Sequence, residues 1–206
     1  MDAAAYPLGT VLKLIDSDLV TPPTRRALKA RLQLPQVEAP RFFDDQAYAM
    51  LGAVCARLIP QRERRAAVDL PGLLDARLAD GDGDGWRYAT MPRGAVMHEY
   101  GLMGLEQTAE ATFGSSFVRL SGDAQDAVLR AVQSGGAVGA VWSLMEPARY
   151  FEELLAQLVD IYYAQPLALE SIGYAGMADA RGWQAIGLDQ RDAHEPAPLA
   201  ALEGAA

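Results

Sequence analysis

The amino-acid sequence predicts an all-α protein, and three observations lead to that class. Apolar residues recur at helical spacing along most of the 206-residue chain. Runs that alternate polar and apolar residues, the pattern of a half-buried strand, are essentially absent. Capping residues and prolines stand at the ends of the periodic segments. We therefore expect an irregular helical domain with an extended N-terminal arm and a C-terminal strap rich in glycine and aromatic residues.

The pattern divides the chain into three parts. Residues 1–41 form an N-terminal arm with short helices, residues 42–165 a helical core domain, and residues 166–206 the strap and tail. In the arm, Thr21 is the expected N-cap of a helix that runs to about Leu32, because two prolines follow it in the first turn.

Helix ends in the core domain are marked by capping residues. Asp44 or Asp45 is expected to cap the first core helix, and Pro60 to end it. Gly94, Gly101 and Gly104, within a later helix, either weaken that helix or permit the close approach of another helix. The further helices are expected from Pro71 through Leu78, from Pro92 to Thr112 with Gly114 as C-cap, from Ser121 to Gly135, and from Pro147 to just before Pro166.

Composition narrows the possible partners. The formal net charge is −9, which disfavours nucleic acid and anionic membrane surfaces, since their binders concentrate Lys and Arg on one face. No apolar run is long enough to cross a bilayer, so membrane insertion is not expected. The single cysteine, Cys55, lies in an apolar run and is predicted to be a buried structural thiol.

The N-terminal region bears on location. Residues 1–6 lack the positive charge and apolar stretch of a secretory signal. Arg25 and Arg26 imitate a twin-arginine export motif, but residues 30–36 are too polar and too short for the hydrophobic part of such a signal. We interpret the arginine pair as a solvated helix face. We expect a cytoplasmic protein, or a periplasmic one if a signal has been removed.

Candidate ligand and cofactor motifs fail in their details. Asp80, Asp82 and Asp84 followed by glycine resemble the start of a calcium loop, but its twelfth position is Met91 instead of a glutamate. A flexible surface turn is the preferred interpretation. His98 has no ligand neighbour at helical spacing, which a metal site would require. We predict no catalytic, metal or cofactor residue in this chain.

The C-terminal aromatic residues are different in kind. Tyr162, Tyr163, Pro166, Tyr174 and Trp183 lie in a segment that glycines interrupt. Each tyrosine or tryptophan ring offers a large apolar area and one polar group, which suits a surface that wraps a partner. Composition alone leaves a second possibility equally open, in which the rings dock the strap on the protein's own helices.

Three sequence features, taken in order, resemble a known family over roughly Phe42 to Glu195. They are the helix end Ala56-Arg57-Leu58-Ile59-Pro60, the stretch Phe113-Gly114-Ser115-Ser116-Phe117, and the ending Tyr162-Tyr163-Ala164-Gln165-Pro166 with Gly173-Tyr174 and Gly182-Trp183. In this order the chain is similar to the gluconate 2-dehydrogenase subunit 3 family, the small subunits of flavin-dependent sugar and polyol dehydrogenases.

The resemblance implies a hetero-oligomer. The partner is a large subunit of the glucose–methanol–choline oxidoreductase type that holds FAD and oxidises a sugar or polyol, while the small subunit supports its folding and stability. The absence of the twin-arginine signal that many members carry is a departure from the family. The five C-terminal residues become predicted partner contacts. Two alternatives stay open: a stand-alone enzyme using Glu99, Asp160 and Tyr162, and a general helical scaffold or chaperone without a flavoprotein partner.

Overall fold

The computed structural model describes residues 7, 9–33, 39–61, 67–81, 88–172, 174, 179, 185, 187–188, 190–192 and 195. Across these residues the chain forms α-helices and two short 3₁₀ helices and contains no strand, which confirms the all-α class. The α-helices are α1 (Thr10–Asp16), α2 (Pro22–Leu32), α3 (Asp45–Leu58), α4 (Leu70–Ala79), α5 (Gly94–Phe113), α6 (Gly122–Gln133), α7 (Pro147–Tyr163) and α8 (Pro166–Ser171), and the 3₁₀ helices are Phe117–Arg119 and Ala140–Ser143.

The chain separates into two compact units. The first combines residues 1–35 with residues 162–206, and the second covers residues 36–161. The two ends of the chain thus belong to one unit, although they were predicted as separate parts of the sequence.

The first unit has its own small apolar core. Helices α1 and α2 supply most of it, and Leu169 of α8 packs against it. Helix α8 was not predicted, because six residues are too few to display helical periodicity and a strap was expected from Pro166 onwards. The core residues are Val11, Leu14, Ile15, Val20 and Leu28.

A buried carboxylate from α8 caps α1. Glu170 accepts hydrogen bonds from the backbone N–H groups of Gly9, at 3.0 Å, and Val11, at 2.9 Å. Gly9 is the N-cap residue of α1 and has no side chain with which to satisfy these donors. The helix start is therefore completed by a residue about 160 positions along the chain.

Arg25 corrects the interpretation of the arginine pair. Its Nε donates to the carbonyl of Ile15 at 2.8 Å, and one terminal nitrogen donates to the carbonyls of Ser17 and Val20. These carbonyls lie at the end of α1 and in the link to α2, where intrahelical partners run out. Arg25 thus holds the α1–α2 connection, and only Arg26 is a solvated side chain as predicted.

Predicted caps in the second unit are confirmed. The Asp44 carboxylate accepts from the backbone N–H of Ala47 at 2.8 Å, and the Ser121 hydroxyl accepts from that of Ala124 at 3.4 Å. Gly114 ends α5 in the left-handed region at φ 65°, a conformation that glycine adopts without strain. Buried apolar side chains of this unit include Leu51, Val54, Leu70, Leu74, Leu102, Leu105, Phe117, Val128, Val132, Tyr150, Leu154 and Leu158.

Asp75 is a buried carboxylate that the sequence pattern did not reveal. It is fully buried on α4 and accepts three backbone N–H groups. Arg41 donates at 2.6 Å to one oxygen, and Phe42 and Phe43 donate at 3.1 and 2.9 Å to the other. Hydrogen bonds to an ionised acceptor are stronger than neutral ones. Asp75 therefore fixes the segment that leads into α3.

Two glycines of α5 seat aromatic rings. A Cβ at Gly101 would lie 2.0 Å from the ring of Tyr150, and one at Gly104 would lie 2.4 Å from the ring of Trp142. Trp142 is held in place because its indole nitrogen donates to the Thr108 hydroxyl at 3.1 Å. Gly101 and Gly104 thus permit close packing of aromatic side chains, whereas a Cβ at Gly94 would meet nothing within 4 Å.

Candidate partner-binding surface

The predicted partner residues on α7 lie mostly inside the protein. The Tyr162 side chain is buried, with 7% of its surface exposed, and Tyr163 is half-buried. Their rings meet edge to face, with centroids 4.9 Å apart and planes at 78°. Both residues thus contribute to the protein's own packing, and Tyr163 keeps part of its surface accessible.

The remaining predicted residues differ in accessibility. Pro166 is buried at the start of α8. Tyr174 follows α8 and is 49% exposed, while its backbone N–H donates to the carbonyl of Leu169 at 3.0 Å. Trp183 lies outside the described residues. Among the predicted residues that the structure describes, Tyr174 has the most exposed aromatic ring.

Asp179 attaches the C-terminal segment to the start of α2. Its carboxylate accepts from the backbone N–H and the hydroxyl of Thr21, each at 2.6 Å, and from the hydroxyl of Thr24. These hydrogen bonds lower the pKa of Asp179 to about 2. Thr21 is the N-cap residue of α2, as predicted. Its own N–H and hydroxyl groups donate to the carboxylate of Asp179.

A polar groove lies in the second unit at the C-terminal end of α5. Its volume is about 530 Å³. Helix α3 contributes Gln46, α5 contributes Glu106 and Glu110, and the turn and the 3₁₀ helix after α5 contribute the rest. The lining residues are Gln46, Glu106, Glu110, Gly114, Ser115, Ser116 and Arg119.

Hydrogen bonds fix the turn that forms one wall of this groove. The backbone N–H of Phe117 donates to Glu106 Oε2 at 2.9 Å, and its carbonyl accepts from the Gln125 side-chain amide at 3.0 Å. The Phe117 ring is fully buried. With both backbone groups paired and the ring buried, Phe117 anchors Ser115 and Ser116 against the end of α5.

The groove carries charged side chains and has apolar neighbours. Glu110 and Arg119 are exposed, and neither makes an ion pair with any residue that the structure describes. Phe113 and Val118, each next in sequence to a lining residue, are 42% and 46% exposed. These two side chains add exposed apolar area beside the charged lining of the groove.

His98 and Cys55 are unsuited to catalysis in their surroundings. Burial lowers the pKa of His98 to about 4, so the imidazole is neutral near pH 7, and it shares a 3.1 Å hydrogen bond with the Gln157 side-chain oxygen. Burial likewise raises the pKa of the Cys55 thiol to about 12, which removes the thiolate that a nucleophile needs. Cys55 is thus the buried structural thiol that the sequence predicted.

The residues considered for a stand-alone enzyme have other surroundings. Asp160 forms an ion pair with Arg77 at 3.0 Å, and Glu99 is an exposed residue on α5. Tyr162 is buried. The Asp160 carboxylate is thus paired with a cation, and the Tyr162 side chain is largely removed from solvent.

The calcium-like aspartates are only partly described. Asp80 forms an ion pair with Arg41, with side-chain oxygen and nitrogen 2.5 Å apart. Asp82 and Asp84 lie outside the described residues. In the described part of the chain, no group of three or more histidines, cysteines or carboxylates is placed to hold a metal ion. Within the same residues, none of the helices has the length and hydropathy needed to span a bilayer.

Sequence reasoning did not find the groove, although its signals were present. Glu106 and Glu110 are four residues apart on one helix and therefore share a face. The stretch from Phe113 to Phe117 contains the predicted C-cap Gly114 and part of the family resemblance, and neither indicates a groove. Its position beside the two glutamates depends on how Gly114 turns the chain, which the sequence indicates only as a C-cap.

Comparison with known proteins gives one match. No curated protein and no solved structure matches the chain significantly. The model of the family described as gluconate 2-dehydrogenase subunit 3 matches residues 45–189. The match covers α3 to α8 and includes both the groove and Tyr174. Since it spans more than half of the 206 residues, the chain belongs to the gluconate 2-dehydrogenase subunit 3 family.

Proposed function

We propose that this chain is the non-catalytic small subunit of a flavin-dependent dehydrogenase of the glucose–methanol–choline type. In this proposal the large subunit binds FAD and oxidises a sugar or polyol. The small subunit binds no cofactor and supports the folding and stability of the large one.

The family match carries the proposal, since it places the chain among proteins described as dehydrogenase subunits. The surroundings of the titratable groups are consistent with a binding role. His98 and Cys55 are buried, with pKa values shifted away from the range useful for catalysis. Among the described residues, accessible side chains that could bind a partner include Tyr174 and those that line the polar groove.

The proposed partner contacts include the C-terminal aromatic residues. Tyr174 is the primary contact, because half of its side chain is exposed beside α8. Tyr163 adds a half-buried ring. Tyr162 and Pro166 support these contacts from inside the unit, and Trp183 remains a predicted contact.

Affinity purification of the tagged chain from its native cells tests the proposal. We expect a larger protein to co-purify in fixed ratio, to show the absorption spectrum of bound flavin, and to have a sequence of the glucose–methanol–choline type. Expression of that protein with and without this chain then tests the supporting role. Alone, the large subunit should be insoluble or poor in flavin.

Two outcomes would contradict the proposal. A chain that purifies alone, monodisperse and thermally stable, with no flavoprotein, would remove the partner. Turnover of a sugar by the isolated chain would make it an enzyme. Recovery of many unrelated proteins in variable amounts would instead favour the general scaffold.

A further inference from the structure

We infer that the polar groove at the end of α5 receives a segment of the large subunit that presents an arginine to Glu106 and Glu110 and a carboxylate to Arg119. The inference rests on the proposed function, because the occupant belongs to the partner subunit. It concerns a surface distinct from the C-terminal aromatic residues.

The charges of the groove define the occupant. Glu106 and Glu110 lie one helical turn apart on α5, with their Cβ atoms about 5–6 Å from each other. Glu106 Oε2 already accepts the Phe117 backbone N–H, which leaves its second oxygen and both oxygens of Glu110 for a partner. A guanidinium has five donors in a planar fork and can hydrogen-bond two carboxylates at once.

Arg119 sets a second requirement. It lines the same groove and would repel an isolated cation. An occupant that brings a carboxylate beside its arginine pairs all three charged side chains. The hydroxyls of Ser115 and Ser116 and the amide of Gln46 then supply neutral donors and acceptors for the backbone of the segment.

The groove is suited to a peptide because its turn wall is fixed. Phe117 is buried, and its N–H and carbonyl are both hydrogen-bonded, so the turn from Gly114 to Ser116 is held before binding. Binding to a preformed surface avoids the entropic cost of ordering it. Phe113 and Val118 are exposed beside the groove and provide apolar area that a bound segment would cover.

Glu110 is the informative position for a test. Glu106 also holds the turn, so its replacement would change the wall as well as the charge. Glu110 is exposed, and its carboxylate makes no hydrogen bond or ion pair with a described residue. We therefore compare wild-type chain with Glu110→Arg and Glu110→Gln in affinity purification from native cells, measuring the large flavoprotein recovered per tagged chain.

Glu99→Arg is the matched control. Glu99 is exposed on the same helix, eleven residues earlier, and therefore about 16 Å along the axis on nearly the same face. We expect Glu110→Arg to reduce recovery of the flavoprotein by about tenfold or more, because it places like charge in a desolvated contact. Glu110→Gln should have a smaller effect, and Glu99→Arg should stay within about twofold of wild type, as expected for a charge outside the contact. Equal losses for Glu110→Arg and Glu99→Arg, or no loss for either, would overturn the inference.

A second measurement does not depend on the flavoprotein. The peptide acetyl-Arg-Gly-Glu-amide is titrated into the ¹⁵N-labelled full chain, with acetyl-citrulline-Gly-Gln-amide as the uncharged control. We expect amide shifts at Glu110 and from Gly114 to Phe117 with the charged peptide only, and their loss in Glu110→Gln. Shifts that are absent, equal for both peptides or unchanged in the variant would overturn the groove assignment.

The two measurements separate the two proposals. If wild-type chain recovers no flavoprotein, the proposed function fails, and the peptide titration still decides the groove. If Glu110→Arg recovers as much flavoprotein as wild type, the proposed function stands and the groove inference fails.

Discussion

The phenol ring of Tyr150 occupies the space that a side chain at Gly101 would need. Tyr150 lies on α7 and is fully buried, and the nearest ring atoms are 2.0 Å from an ideal Cβ on Gly101. The rings of His98 and Trp142 lie at centroid distances of 6.1 and 6.0 Å from it. Tyr150 therefore joins α7 to α5 at a point where only a glycine fits.

Gly101→Ala should destabilise the protein by about 1–3 kcal/mol, because overpacking displaces the Tyr150 ring. This net loss is smaller than the strain itself, because alanine has a better helix propensity than glycine and recovers up to about 1 kcal/mol. Urea unfolding of the full chain measures the change. Gly52→Ala is the matched control, since Gly52 lies inside α3 with nothing within 4 Å of its added Cβ. That variant should be neutral or more stable, and a comparable loss at both positions would contradict the packing argument.

Tyr150→Phe should leave stability unchanged or raise it by about 1 kcal/mol. The Tyr150 hydroxyl is buried and has no hydrogen-bond partner among the described residues, and burial raises its pKa. Removing an unsatisfied buried hydroxyl recovers part of its desolvation cost. Thermal unfolding tests this. A loss above about 1 kcal/mol would mean that the hydroxyl is hydrogen-bonded in solution.

Asp75→Ala should cost about 3 kcal/mol or more, because one buried and two partly buried N–H groups lose the carboxylate that accepts them. Asp75→Asn should cost less. Its amide keeps one oxygen for Phe42 and Phe43 and turns an NH₂ group towards the N–H of Arg41. Denaturant unfolding of both variants gives the order. Equal costs for the two variants would show that the two bonds kept by the asparagine oxygen do not contribute to stability.

Stability should fall as the pH is lowered from about 6.5 to about 4. Burial lowers the pKa of His98 from 6.5 to about 4, so the unfolded chain binds the proton more readily in this window. Above pH 6.5 the neutral His98 lowers the free energy of unfolding by nothing. Below pH 4 the loss has reached its full value of about 3 kcal/mol. In His98→Gln the slope of unfolding free energy against pH should flatten between these values. An unchanged slope would exclude His98 as its source.

Tyr174→Ala combined with Trp183→Ala should weaken binding of the large flavoprotein while leaving helical content nearly intact. Tyr174 is half exposed after the end of α8, so its ring contributes little to the described core. Recovery of the flavoprotein and the far-ultraviolet circular dichroism spectrum are measured together. Loss of helical signal would mean that the two rings belong to the core of this protein instead of its interface.

Local features of the fold could be predicted from sequence. Asp44, Ser121 and Gly114 are caps whose partners lie within four residues, so their residue types reveal them. Helix α8 is too short for periodicity. Asp75 was missed because its role depends on donors more than thirty residues away.

In the candidate surfaces, too, features that depend on distant residues could not be predicted from sequence. The exposure of Tyr174 and the burial of Tyr162 and Pro166 have no local signal, since all three share one aromatic and proline-containing stretch. Arg25 and Arg26 are adjacent and identical in type, yet only the first reaches the carbonyls at the end of α1. Side-chain direction separates these neighbours, and it becomes known only when the helices are placed.

The contact between Glu170 and the start of α1 constrains the order in which the chain can fold during synthesis. The N–H groups of Gly9 and Val11 are synthesised about 160 residues before the carboxylate that accepts them. The first unit therefore cannot complete these hydrogen bonds until Glu170 has been translated. Residues 36–161, by contrast, are continuous and emerge before it.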